Sequence, residues 1–323
     1  MGAATRRDVV RLLAARLLVV LLVAALLAVA AFAAATPSRA QVDDLDPETV
    51  SGTLARIKNS GVVRIGYREA AIPFSFLGRG NQPVGYSLDL CQAIVEEIGR
   101  TLDREDLKVE FVRVTAEDRI DAVIDGRIDL ECGSTTNTLD RAKRVDFSPM
   151  TFVTGTKVMV PVGTRWRDFH DLKGKKVAVT RGTTNAEALA ALDKKFNLGI
   201  TLVEAPGHED SYQLLVSGAV DAFATDEVLL YGLIAQHKSQ DKFKVVGEFL
   251  SYEPYGIMFR RNQRVLSDAV TRALRNMVIA RDIGPTYAKW FTSRLPNGER
   301  FNIPMSPQLE QSFTVLGSTG EAN

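Results

Sequence analysis

Five consecutive small polar residues, Ser134-Thr135-Thr136-Asn137-Thr138, follow the short run Asp129-Leu130-Glu131-Cys132-Gly133, and Arg141 comes three residues later. Hydroxyls, main-chain N–H groups and a guanidinium at that spacing form a fork of donors that matches the two oxygens of one carboxylate. The same residues suit a plainer task, a turn that caps the next helix through Thr138 or Asn137. What decides between the two is where the other polar clusters of the chain fall.

Strands are predicted over 62–66, 109–114 and 128–132, and they are followed by Arg68, by Arg119, and by Ser134, Thr136 and Arg141. A second set over 176–180, 200–204 and 220–224 is followed by Thr183, His208 and Asp226. A weak internal repeat relates the two sets. Ala122 to Leu130 and Leu214 to Ala222 each read as a helix stopped by glycine and answered by a short strand, and Gly61 to Gly66 has a counterpart in Gly174 to Thr180. The pattern implies an α/β protein of two lobes with related plans. Ligands of open α/β sheets bind beyond the carboxyl ends of the strands, so all eight side chains are expected to face one crevice. Arg68, Arg119 and Arg141 bring three positive charges, Asp226 one negative, and His208 a further positive charge if protonated. A small ligand with two carboxylates and one ammonium fits that balance, since arginines in a desolvated cleft need an anion.

Four arginines precede an uncharged run from Leu17 to Ala35, and Ser38-Arg39-Ala40 offers small residues for cleavage, so residues 1–40 are expected to be an export signal cut after Ala40. The run is also long enough for an uncleaved membrane anchor. The first 40 residues hold five of the 40 Lys+Arg and one of the 39 Asp+Glu, which leaves 35 against 38, a formal charge of −3. No basic block remains, which argues against a nucleic-acid partner. Cys91 and Cys132 are the only cysteines. Both fall on apolar faces, and two buried free thiols are expected, with a bridge as the alternative if both meet at one helix–sheet interface. The three histidines have no metal-ligand spacing, and no Walker-type loop is present, so neither a metal, a nucleotide nor another cofactor is expected. Trp166 and Trp290 read as packing residues.

Glu131-Cys132-Gly133-Ser134-Thr135-Thr136-Asn137 with Arg141, Asp146-Phe147-Ser148, Thr180-Arg181-Gly182-Thr183-Thr184 and Tyr255-Gly256-Ile257 together resemble the family 3 extracellular solute-binding proteins. Arg68-Glu69, Pro73-Phe74-Ser75 and His208 are closer still to its glutamate/aspartate-binding members, which serve ATP-binding-cassette importers. The resemblance runs from Leu54 to about Ile303. It implies a type II periplasmic-binding-protein clamp, with two mixed sheets flanked by helices and joined by a two-strand hinge. Residues 41–156 with 249–323 would form lobe one and 157–248 lobe two. Arg141 would hold the α-carboxylate of L-glutamate or L-aspartate, helped by Thr136 and Thr183. Asp226 with Ser134 would receive the ammonium, and Arg68, Arg119 and His208 the side-chain carboxylate. A periplasmic monomer that docks on a membrane permease, without catalysis, is implied. Ala116 departs from the pattern, because the glutamate/aspartate binders carry a serine there; its absence removes one neutral donor, worth roughly 1 kcal/mol.

Two other readings use the same residues. A relative of cyclohexadienyl dehydratase would need a general acid or base, for which Glu69 and His208 are the candidates. A sensory ectodomain would keep residues 17–35 as a tether. Beyond Gln308 the sequence offers few packing signals, and a loosely held tail is expected.

Overall fold

Helix α1 (Gly52–Ser60) stops at Gly61, whose φ of +69° lets its N–H reach Ile57 O at 2.8 Å, and strand β1 (Val62–Tyr67) begins directly after. The computed structural model describes residues 50–295 and 298–318; the expected export signal over 1–40 lies outside them. Past β1, a three-stranded flap of β2 (Ala70–Ala71), β3 (Ser75–Leu77) and β4 (Pro83–Val84) leads into α2 (Tyr86–Leu102). Leu90, Cys91, Ile94, Val95, Ile98 and Leu102 recur at helical spacing on the buried face of α2.

The first five-stranded sheet is built from β1, β5 (Lys108–Arg113), β6 (Leu130–Glu131), β7 (Asp146–Phe147) and β15 (Met258–Phe259) in the order β5-β1-β6-β15-β7. β1 runs parallel to β5 and β6, while β15 is antiparallel to β6 and β7. The second sheet contains β9 (Thr156–Pro161), β10 (Lys176–Thr180), β11 (Thr201–Ala205), β12 (Ala222–Asp226) and β13 (Phe243–Val246) in the order β11-β10-β12-β9-β13. β10 is parallel to β11 and β12, and β9 is antiparallel to β12 and β13. The repeat in the sequence is therefore a repeat in topology.

Two crossover strands, β8 (Phe152–Thr154) and β14 (Glu253–Tyr255), pair antiparallel and form the hinge. Phe152 and Tyr255 anchor it in an aromatic cluster with Phe74, Tyr86, Tyr287 and Phe291, whose closest rings lie 4.3–5.1 Å apart between centroids. The cluster belongs to the side of the first sheet, where α8 (Arg264–Ile279) and α9 (Ile283–Phe291) pack. Trp290 packs edge-on to Phe76 and donates Nε1–H to Asp89 at 2.6 Å, and Trp166 joins the second lobe's core, so both tryptophans serve packing.

Two expectations are corrected. Cys91 and Cys132 are joined in a disulfide rather than free, because α2 crosses the first sheet with Cys91 facing the end of β6. The described part of the tail, through Ser318, is not loose: α10 (Pro307–Ser318) inserts Leu309 and Phe313, 1% and 4% exposed, into the aromatic cluster. Two apolar residues four apart are enough to dock one helical face, although they are too few to stand out as a pattern in the sequence.

Candidate functional site

The turn after each central strand carries a buried polar side chain. Asp118 accepts from Thr115 N–H at 2.7 Å and from its hydroxyl at 2.9 Å, fixing the turn that opens α3 (Arg119–Ile124) and pointing Arg119 inward. Arg119 Nη1 donates to Ser134 O at 3.2 Å. Thr138 caps α4 (Leu139–Ala142), accepting from Arg141 N–H at 3.2 Å, so the hydroxyl run both caps a helix and faces the cleft. In the second lobe Thr183 caps α5 (Thr184–Phe196), and its own hydroxyl donates to Thr180 O at 2.6 Å. Asp226 stands at the N-cap position of α7 (Glu227–His237) but makes no capping bond. Its carboxylate turns into the cleft, where it accepts from Asn185 Nδ2 at 2.8 Å and from the Tyr255 hydroxyl.

Arg119, Ser134, Thr136, Thr183, His208 and Asp226 line one small pocket between the lobes, with Thr184, Asn185 and Leu229 completing it. Arg68 shares an adjoining cavity with His208, the first residue of α6 (His208–Val216). Arg141 sits at the edge, donating to Thr136 O at 3.0 Å and across the cleft to Gly182 O at 3.3 Å. All eight side chains picked out in the sequence are buried, 9% exposed at most. Arg68 Nη1, Arg119 Nε and Ser134 Oγ are buried without a hydrogen-bond partner among the described residues, which leaves three polar atoms able to take a ligand. Two roomier cavities, beside Leu77 and beside Tyr252, contain none of these eight residues.

Burial and the charge of Arg119 pull the Arg68 guanidinium down to about 9, against the opposing pull of Glu131 and Asp118, and it remains a cation at neutral pH. Burial and Arg119 likewise bring Arg141 to about 10. His208 is held well below its ordinary value by burial and by Arg68 and Arg119, so it stays neutral and adds no positive charge. Burial first, then the neighbouring Glu253, pushes Asp226 up to about 7. The Tyr255 hydroxyl is raised well above its ordinary value by burial and by Asp226, so it remains a proton donor.

The charge balance read from the sequence missed two carboxylates. Glu131, fully buried, accepts from Thr135 Oγ1 at 2.6 Å and lies against Gly133, where an added Cβ would stand 2.3 Å from its Oε1 and 3.0 Å from Arg68 Cγ. Glu253, 2% exposed, accepts from the hydroxyls of Thr136 and Thr184. Three arginines therefore face three carboxylates, and the cleft is not a simple cationic trap. Glu131 lay inside the hydroxyl-rich motif, yet strand alternation gave it no distinct face. Glu253 lay in the return crossover, whose sequence says nothing about which way a side chain turns. Glu69, a candidate base, is instead paired with Arg113 at 2.7 Å on the surface.

Among the described residues no helix is long and apolar enough to cross a membrane. Residues 63–293 match the family described as bacterial extracellular solute-binding proteins, family 3. The L-glutamate/L-aspartate-binding protein of Pseudomonas aeruginosa is 39% identical over 266 residues, 82% of this chain and 88% of the relative. The glutamate/aspartate import solute-binding protein of Salmonella typhimurium is 36% identical over 275 residues, 85% of this chain and 91% of the relative. Among solved structures, an ancestral arginine-binding protein bound to arginine shares 33% identity and a TM-score of 0.65, covering 72% of this chain and 98% of that one.

Proposed function

Because this chain belongs to the bacterial extracellular solute-binding proteins, family 3, we propose that it captures L-glutamate or L-aspartate in the periplasm and presents it to the membrane permease of an ATP-binding-cassette importer. The observation that carries the reading is the set of buried groups gathered in the cleft: Arg68 Nη1, Arg119 Nε and Ser134 Oγ, without hydrogen-bond partners among the described residues, together with the buried Asp226 carboxyl group. Similarity to relatives named for binding or importing these two acids supports it.

In this reading Arg141 exchanges its bonds to Thr136 O and Gly182 O for the ligand's α-carboxylate, which also meets the N-terminus of α5 beside Thr183. Thr136 and Thr183 already commit their hydroxyl protons to Glu253 and Thr180 O, so their help to that carboxylate comes from main-chain N–H groups or from rotation of the hydroxyl. Asp226 ionises to receive the ammonium, with Ser134 Oγ beside it. Arg68 and Arg119 take the side-chain carboxylate. Neutral His208 is held by Thr180 Oγ1 at 2.9 Å from Nδ1, and it donates from Nε2 when Thr180 gives its proton to Nδ1. Selection of the acid over the amide then comes from the fixed donors of Arg68, Arg119 and His208, not from net charge. Among the described residues, 50–156 with 249–295 and 298–318 form lobe one and 157–248 lobe two, so ligand contacts on both sides draw the clamp shut. The protein acts as a monomer without catalysis, and residues 1–40 direct its export.

Calorimetric titration of ligand-stripped protein with L-glutamate, L-aspartate, L-glutamine and L-arginine tests the reading. Tight binding of the two acids with weak amide binding is expected. Preference for the amide or for arginine would overturn the roles given to Arg68, Arg119 and His208.

A further inference from the structure

We propose that Glu253 is the latch of the clamp, a hinge carboxylate that holds the two lobes together by binding a hydroxyl from each on the same oxygen. Its Oε2 accepts from Thr136 Oγ1 at 2.6 Å, on the first lobe, and from Thr184 Oγ1 at 2.7 Å, at the first turn of α5 on the second. The two hydroxyls are themselves 3.5 Å apart across the cleft. Rotation of one lobe about the hinge separates Thr136 from Thr184, and one oxygen then cannot keep both. The paired bonds on Oε2 therefore belong to the closed state alone.

The other oxygen ties the latch to the ligand cleft. Ser251 Oγ donates to Glu253 Oε1 at 2.5 Å, so its proton is committed, and the 2.7 Å contact between Ser251 Oγ and Thr156 Oγ1 must be a bond donated by Thr156. Thr156 Oγ1 in turn accepts from Asn185 Nδ2 at 2.7 Å, and the second Nδ2 hydrogen goes to Asp226 at 2.8 Å. One directed chain of donors, Asn185 to Thr156 to Ser251, ends on Glu253, while the same amide also serves Asp226. The two carboxyl groups share one polar network across hinge and lobe, and hydrogen bonds linked in a chain polarise one another. Acidic side chains in the hinge are not needed to pair β8 with β14, since the main chain does that.

The proposal deepens the binding reading of the same site, but its first readout needs no ligand. Small-angle X-ray scattering of ligand-free wild type, Glu253→Gln and Thr184→Val would report the closed fraction, with circular dichroism confirming that each variant is folded. Thr184 is only partly buried, so Thr184→Val keeps the test available if Glu253→Gln fails to fold. Loss of one charge-assisted bond is expected to lower the closed-to-open ratio about tenfold or more, giving a larger radius of gyration in both variants. The double variant should open no further than Glu253→Gln alone, because Thr184 acts through Glu253. Unchanged scattering in folded Thr184→Val and Glu253→Gln, or fully additive opening in the double variant, would overturn the latch. Binding of L-glutamate to the variants should weaken by the same factor. Absence of glutamate binding to wild type would count against the proposed substrate and leave the scattering result to decide the latch.

Discussion

The two lobes share one plan, three parallel strands followed by antiparallel returns, and yet they hold their parts of the site by different means. In each sheet the fourth strand is the one that has just arrived through the hinge, β15 in the first and β9 in the second. The first lobe brings the three buried arginines, and its central helix α2 is stapled to the sheet by Cys91–Cys132. The second lobe, with no covalent staple, brings the N-terminus of α5, neutral His208 and Asp226, all ordered by side-chain hydrogen bonds to neighbours. Desolvated cations repel one another and need a stiff frame, whereas caps and hydroxyl networks are set by local backbone geometry. The difference teaches that a duplicated topology leaves each copy free to specialise, one in charge and the other in geometry.

Arg141→Gln should break the contrast most sharply. It removes the one arginine that reaches across to Gly182 O and leaves Glu253 without that neighbouring charge, so amino-acid affinity is expected to fall by about 3–5 kcal/mol in calorimetry. If the loss is below tenfold, the first lobe is not the source of binding charge. Next in size, Cys91→Ser with Cys132→Ser opens a loop with a sequence separation of 41 and should cost about 2–4 kcal/mol in urea unfolding. Hydrogen exchange should then rise in α2 and β6 while β10 and β12 stay protected. Equal deprotection of both sheets would show that the lobes unfold as one.

Gly232→Ala sharpens the comparison at the seam. An added Cβ on α7 would stand 2.4 Å from Ile72 O of the first lobe, so overpacking of about 1–3 kcal/mol should hold the lobes apart and weaken binding roughly tenfold, with little change in thermal stability. Asp226 gives a gentler effect, spread over pH. Its folded value of about 7 lies above the ordinary 3.8, so the protonated form is favoured in the fold. The associated stability is fully present below about pH 4 and is lost as pH rises toward 7, by at most about 1.4 kcal/mol per pH unit. Asp226→Asn should flatten that slope and be the more stable protein at pH 8. At pH 6, binding of an ammonium should release up to one proton, visible as a dependence of calorimetric heat on the buffer. A wild-type slope unchanged in Asp226→Asn would move the titration to another group.

Much of this arrangement is local, and local features are legible in a sequence. Strand alternation and glycine stops located the sheets to within a residue or two at β1 and β5, and the repeat between Ala122–Leu130 and Leu214–Ala222 announced two related lobes. Six of the eight polar residues after those strands line one pocket, with Arg68 in the cavity beside it, because parallel strands of a sheet end on the same side. What tertiary structure alone decided is which distant groups meet. Cys91 found Cys132 only because α2 crosses the first sheet, and Phe313 found the aromatic cluster only because α10 folds back over the hinge. Glu253 is 117 residues from Thr136 and 69 from Thr184, and no local period records that all three converge. A side chain's face is set by its own strand or helix, but its partners are set by chain crossovers. The charge of the cleft therefore could not be counted from the turns that announce it.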